Sequence, residues 1–173
     1  MENEPTTEKP VLTETINWKG INHTLELFAT DKVPPEVISQ VQCIAFTKEG
    51  KVVLYKHTAG YIGLPGGTVK DGESVESALV REVREESATQ IISHQQIAYL
   101  KDTNEDSDEV QFQTRYWAEV ELLDEQVADP DGKALERLIV EPEEVVSLLG
   151  EGWGERGAIL LKLALDARNK ISG

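Results

Sequence analysis

The sequence predicts an α/β layered fold, with strands and helices mixed inside one domain. Three observations lead there. Residues 110–122 alternate: Phe112, Thr114, Tyr116, Ala118 and Val120 point one way, and Gln113, Arg115, Trp117, Glu119 and Glu121 the other, the two-residue period of a strand. Residues 74–87 and 155–170 instead carry apolar side chains at helical spacing. The two kinds of segment do not follow a regular βαβ order, which leaves α/β or α+β layering. At 173 residues the chain suits one domain and can bury a core without disulfide staples.

In chain order, residues 1–10 are polar with two prolines, the composition of a disordered tail. Thr13–Trp18 and His23–Phe28 are β-type runs separated by Gly20-Ile21-Asn22, which predicts a hairpin within an extension spanning residues 11–36. Pro34-Pro35 punctuates the chain after it. Val37 to Thr47 reads as a buried strand and Lys51 to Tyr55 as its partner across Glu49-Gly50. The loop from Gly60 to Gly72 is rich in glycine, and the helix over 74–87 follows it. Ile91 to Lys101 and Val110 to Leu122 are strands flanking an acidic loop, and Glu136 to Val140 is a shorter one. Pro142 opens a short helix through Leu149, since proline's missing N–H has no partner in a first turn anyway. Gly150-Glu151-Gly152 ends it. Glu155 to Lys170 is a last helix with Ile159, Leu160, Leu163 and Ala167 on one stripe.

The formal net charge is -15, a surface that repels nucleic-acid backbones and anionic membranes, so strong nucleic-acid binding and membrane attachment are not expected. No run approaches the roughly 20 apolar residues of a membrane span. Met1-Glu2-Asn3-Glu4-Pro5 has neither a basic n-region nor an apolar h-region, so the default expectation is a cytoplasmic protein. The lone cysteine, Cys43, sits beside Ile44-Ala45-Phe46 and reads as a buried thiol. The oligomeric state is left open, a homodimer included.

The segment richest in chemistry is Ser74 to Glu86. At about 100° per residue, Val75, Ala78, Leu79 and Val83 gather on one arc, the side that faces a sheet. Glu82 and Glu86 fall inside that arc, Glu85 lies at its edge, and Arg81 just outside. An ordinary surface helix places carboxylates opposite its apolar stripe. Clustered, partly desolvated carboxylates near a helix C-terminus repel one another and the macrodipole unless a cation compensates. Oxygen ligands on a rigid element suit Mg²⁺ or Mn²⁺. A salt-bridged surface helix, with Arg81–Glu85 as an i,i+4 pair and Glu82 and Glu86 leaning outward, stays open as the alternative. The loop before it, Gly63-Leu64-Pro65-Gly66-Gly67, allows close backbone approach to a ligand but lacks the P-loop pattern.

Taken together these residues resemble the Nudix box, GX5EX7REUXEEXGU with U a bulky aliphatic residue, the signature of the MutT-like hydrolases of nucleoside diphosphates linked to another moiety. Gly67 opens the match, Glu73 follows five intervening residues later, and Arg81-Glu82-Val83 and Glu85-Glu86 fall at the required spacing. Ala88 stands for the closing glycine and Thr89 for the last aliphatic residue, departures that touch helix exit geometry and remove no carboxylate. Ile62 occupies a place where an aromatic residue is common in the family.

The resemblance implies an α/β/α sandwich with a mixed central sheet over residues 37–173. It implies divalent cations held by Glu82, Glu85 and Glu86 with a backbone carbonyl of Gly66 or Gly67. It implies water attacking phosphorus in a nucleotide or nucleotide derivative. Glu82, Glu85 and Arg81 would form the catalytic group, Arg81 orienting a carboxylate, by spacing Glu85, and Glu73 bracing the loop. The general base is a box glutamate or one of Asp106, Asp108, Glu109 and Glu119, and Trp117 is the best-placed tryptophan for stacking a base. Signatures the family uses for ADP-ribose, dinucleoside polyphosphates and NADH are missing, which favours a nucleoside-triphosphate-type pyrophosphohydrolase. Two alternatives accompany this reading. One is a non-catalytic Nudix-like nucleotide-binding or regulatory domain. The other is an isomerase of the isopentenyl-diphosphate type, which would need a reactive Cys43.

Overall fold

The computed structural model describes residues 8–32, 34, 36–124 and 130–172. Most of the tail expected over 1–10 and Pro35 lie outside the described residues. The chain opens with β1 (Leu12–Trp18) and β2 (Ile21–Phe28), an antiparallel hairpin in which Trp18 pairs with Ile21. The turn is therefore Lys19-Gly20, not Gly20-Ile21-Asn22. Both residues have positive φ, 52° and 86°, the two-residue turn whose twist matches a hairpin.

β3 (Ile38–Phe46) runs parallel to β8 (Val110–Leu122), while β7 (Thr89–Asn104) pairs antiparallel with β8 and carries β2 on its other edge. The hairpin thus continues the sheet. On its far edge β3 is shared by two partners. β6 (Gly66–Thr68) pairs with residues 40–42, and β4 (Val52–His57) with residues 45 and 46. β4 continues into β9 (Ala134–Val140) and the short β5 (Ile62–Gly63). The fork at β3 is where the glycine loop enters the sheet.

One face of the sheet packs Val41, Cys43, Ala45, Val53, Tyr116 and Ala118 against Ala78, Leu79 and Val83 of α1 (Val75–Ser87). The other face packs Leu27, Ile44, Phe46, Leu54 and Trp117 against α2 (Val145–Leu149) and α3 (Gly154–Ser172), which supply Val145, Leu149, Leu160 and Ala164. Pro142–Glu144 forms a 3-10 turn leading into α2. The result is an α/β/α sandwich around a mixed sheet, as expected. The second helical layer also changes the reading of β8. Its polar-looking side is a buried side, so Trp117, 1% exposed, is a core residue and no stacking platform for a base. Cys43 is equally buried, and burial pushes its thiol pKa up, which removes the reactive cysteine an isomerase would need.

Candidate active site

α1 begins where Ser74 caps it: the Ser77 N–H donates to Ser74 Oγ at 3.1 Å, satisfying one free donor of the first turn. It ends at Ala88, whose φ of 50° is left-handed, with its N–H donating to the Arg84 carbonyl at 3.0 Å. The Ala88 carbonyl accepts from Arg137 Nη1 at 2.8 Å and from the Leu123 N–H at 2.9 Å, so β9 and the end of β8 hold the helix exit. Alanine thus takes a left-handed conformation that glycine, the residue the box has here, adopts without strain.

This anchoring turns the carboxylates toward the fork in the sheet. Glu82 and Glu86 are 6% and 5% exposed, so the outward-leaning surface helix is not what forms. Glu86 Oε2 accepts the Gly66 N–H at 2.9 Å. The Glu82 carboxylate lies so close to Gly67 that a methyl group there would stand 2.6 Å from its Cδ. Any side chain at this place would push the Glu82 carboxylate aside. Desolvation raises the Glu82 pKa most, Arg81 opposes this, and Glu85 adds to it.

Arg81 organises the cluster, though not through Glu85 first. Its Nε and Nη2 donate to the two oxygens of Glu73 at 2.8 and 3.0 Å, its Nη1 to Glu82 Oε1 at 2.8 Å and, longer, to Glu85 Oε2 at 3.3 Å. The expectation of Glu85 as the main partner is corrected: i,i+4 spacing favours that pair, but the loop brings Glu73 within fork-to-fork reach. Glu73 also accepts the Lys70 N–H at 3.0 Å, and Arg81 donates to the Thr68 carbonyl at 3.1 Å, so the pair ties loop to helix. Arg81 and the Lys70 N–H hold the Glu73 carboxyl down to about 2.

Tyr55, which sequence reasoning passed over, joins the site. Burial raises its pKa most, and Glu86, Tyr61 and Glu82 push it further, so it stays a neutral phenol. Nothing in the apolar run Val52-Val53-Leu54-Tyr55 signals this role.

Among the described residues no three His, Cys, Asp or Glu side chains converge as a ready cage, and Arg81 bonds both Glu82 and Glu85. The donor set nonetheless fits a hard cation. Two carboxylates are held against loop backbone, one is desolvated in a cradle that only glycine leaves open, and a third lies one turn away. Of the candidate bases, Asp106 and Asp108 are exposed in the turn between β7 and β8. Glu109 lines a groove with Trp18 and Gln40. Glu119 shares by alternation the face of Trp117, away from α1. None of the four is brought to the box carboxylates.

The chain resembles a point mutant of the pyrophosphohydrolase BsRppH from Bacillus subtilis, with TM-score 0.71 and 22% identity, over 84% of this chain and 92% of that one. It resembles a NUDIX hydrolase from Nitrosomonas europaea with TM-score 0.57 and 16% identity, over 78% and 90% of the two chains. It also resembles the NUDIX domain of Shewanella oneidensis NrtR, solved in complex with ADP ribose, with TM-score 0.54 and 19% identity, over 80% and 94%. These likenesses establish the fold. A search among curated proteins finds no match. The family model described as NUDIX domain matches residues 38–163, well over half of the chain and all of the box, and the protein therefore belongs to the Nudix family.

Proposed function

We propose that the protein is a divalent-metal-dependent hydrolase of a phosphoanhydride bond in a nucleoside-diphosphate-linked substrate, with nucleoside triphosphates and related nucleotides the first class to test. The observation that carries this is the burial of Glu82 and Glu86 against Gly66 and Gly67. Buried carboxylates with no apolar replacement cost stability, and a site that keeps them has a use for their charge.

Glu82, Glu85 and Glu86, with a carbonyl from Gly66 or Gly67, would hold Mg²⁺ or Mn²⁺. When bound, the ion neutralises phosphate oxygens and lowers the pKa of water. The chain's own contributions are positional. Glu73 and Arg81 lock the loop onto α1, so the carboxylates and the loop backbone keep one relative position. Arg81 is shared among three carboxylates, which limits their mutual repulsion before a cation arrives. Tyr55 is buried, and the charges of Glu86 and Glu82 raise its phenol pKa further, so it stays neutral beside them. The complete carboxylate set favours hydrolysis over a binding domain that has lost its chemistry.

The test is a phosphate-release screen with Mg²⁺ over nucleoside triphosphates, nucleotide sugars and dinucleotides. Turnover of at least one class is expected. Binding of these compounds without turnover of any would transfer the reading to a regulatory domain.

A further inference from the structure

On the face of the sheet opposite α1, a groove of about 350 Å³ crosses β1, β2, β7, β8 and β3 and ends at the start of α3. Arg115 lies in its floor, 7% exposed. Nη1 donates to the Thr114 carbonyl at 3.1 Å and Nη2 to Gln113 Oε1 at 2.8 Å, while the buried Nε–H has no acceptor. Among the described residues no carboxylate pairs with this guanidinium. Burial, then the neighbouring Arg156, push its pKa down to about 9 against the pull of Asp102, which leaves it cationic at neutral pH.

The contrast with its surroundings is informative. Arg156, the other buried arginine, is paired with Glu14 and with the Gly152 carbonyl. Asp102, the one acid lining the groove among the described residues, is bonded to His23 at 2.7 Å. In a chain of net charge -15, acids are abundant, yet the hydrogen bonds of this buried cation go to neutral amides and Asp102 acts on it only at longer range. A buried charge without a counter-ion is costly, and an open groove beside it lets a ligand supply one. The planar fork matches phosphate oxygens. Position agrees: Gly66 pairs with Gln42, and Gln42 with Arg115. Two strand spacings, roughly 10 Å, therefore separate the glycine loop from Arg115.

We propose that Arg115 anchors a phosphate-binding subsite that takes an anionic part of the substrate other than the anhydride being cleaved. The link to substrate rests on the hydrolase reading above; the subsite itself does not. Arg115 is a binding residue here, separate from the box.

The direct probe is inorganic phosphate, added at constant ionic strength in EDTA to the full chain labelled with ¹⁵N-arginine. A saturable shift of the Arg115 Nε–H resonance is expected, unchanged in Glu86→Gln. Arg115→Lys should bind phosphate at least about tenfold more weakly, the scale of one charge-assisted hydrogen bond. On the best substrate from the screen, Arg115→Lys should raise KM about tenfold and leave kcat nearly unchanged. No shift of that resonance in the wild-type protein, or an equal response to acetate, overturns the subsite. Should the screen return no substrate, the hydrolase reading fails and the wild-type titration still decides the subsite. That titration also decides it if Arg115→Lys does not fold.

Discussion

Gly67→Ala separates the catalytic from the structural meaning of the box glycine. Gly67 has no positive φ, so alanine meets no backbone penalty there. Its methyl would, however, stand 2.6 Å from Cδ and Oε1 of Glu82 and 2.8 Å from Oε2. Ordinary contact begins near 3.4 Å, so the carboxylate must retreat. The clashing atoms are the end of a flexible side chain, and the cost to folding is limited to weakening the 2.8 Å bond from Arg81, about 1–2 kcal/mol. For the reaction, displacing by roughly 1 Å a carboxylate proposed to hold the metal is worth about a hundredfold in rate. The assay pairs kcat/KM at saturating Mg²⁺ with urea denaturation of the same preparation. A fall of about a hundredfold with stability nearly retained is expected. Activity close to wild type would refute the claim that Glu82 must occupy the space above Gly67.

Gly66→Ala should behave oppositely, because its methyl would lie 2.3 Å from the Val41 carbonyl oxygen and 2.6 Å from Gln42 Cα, backbone that cannot step aside. A loss of about 3 kcal/mol in stability is expected, and a thermal midpoint near wild type would contradict the β3–β6 packing. Glu73 titrates near 2 in the folded chain against 4.5 when free, so its contribution is complete above about 4.5 and lost as pH falls toward 2. Glu73→Gln should flatten that part of the acid limb in chemical denaturation, and an unchanged limb would show that Arg81 does not hold this carboxylate. Ala88→Gly relieves about 1–2 kcal/mol of left-handed strain. Against this stand glycine's greater chain entropy, about 0.5–1 kcal/mol, and a lost buried methyl, about 0.8 kcal/mol. The net should stay within about 1 kcal/mol, with kcat/KM changed less than about tenfold; a gain of several orders of magnitude would mean that alanine disables the box.

The sequence exposes α1 and its inward carboxylates because helical period and charge placement conflict there, and only a buried, functional face resolves the conflict. The β8 alternation is equally legible, yet alternation alone does not tell that both faces of the strand are covered. Trp117 looks solvent-facing until α2 and α3, more than 20 residues later, pack on its side, and Gln113 and Arg115 look so until β1 and β2 wall the groove above them. Spacing along the helix ranked Glu85 first for Arg81, since a loop's reach cannot be counted in residues; Glu73 took the closer bonds. The groove around Arg115 has no sequence signature at all, because its walls come from β1, β2, β3, β7, β8 and α3 and meet only in the folded sheet.

In the proposed function, the inward glutamates of α1 hold the divalent ion on which hydrolysis depends. Calorimetric titration of metal-stripped protein with Mn²⁺, run on wild type and on Glu86→Gln, tests it most directly. Saturable binding by the wild type is expected, weakened at least about tenfold in the variant by loss of one charged ligand, with the circular dichroism spectrum unchanged. Turnover should fall with binding and vanish in excess EDTA. Equal Mn²⁺ affinity in the two proteins, or undiminished turnover in EDTA, would contradict it.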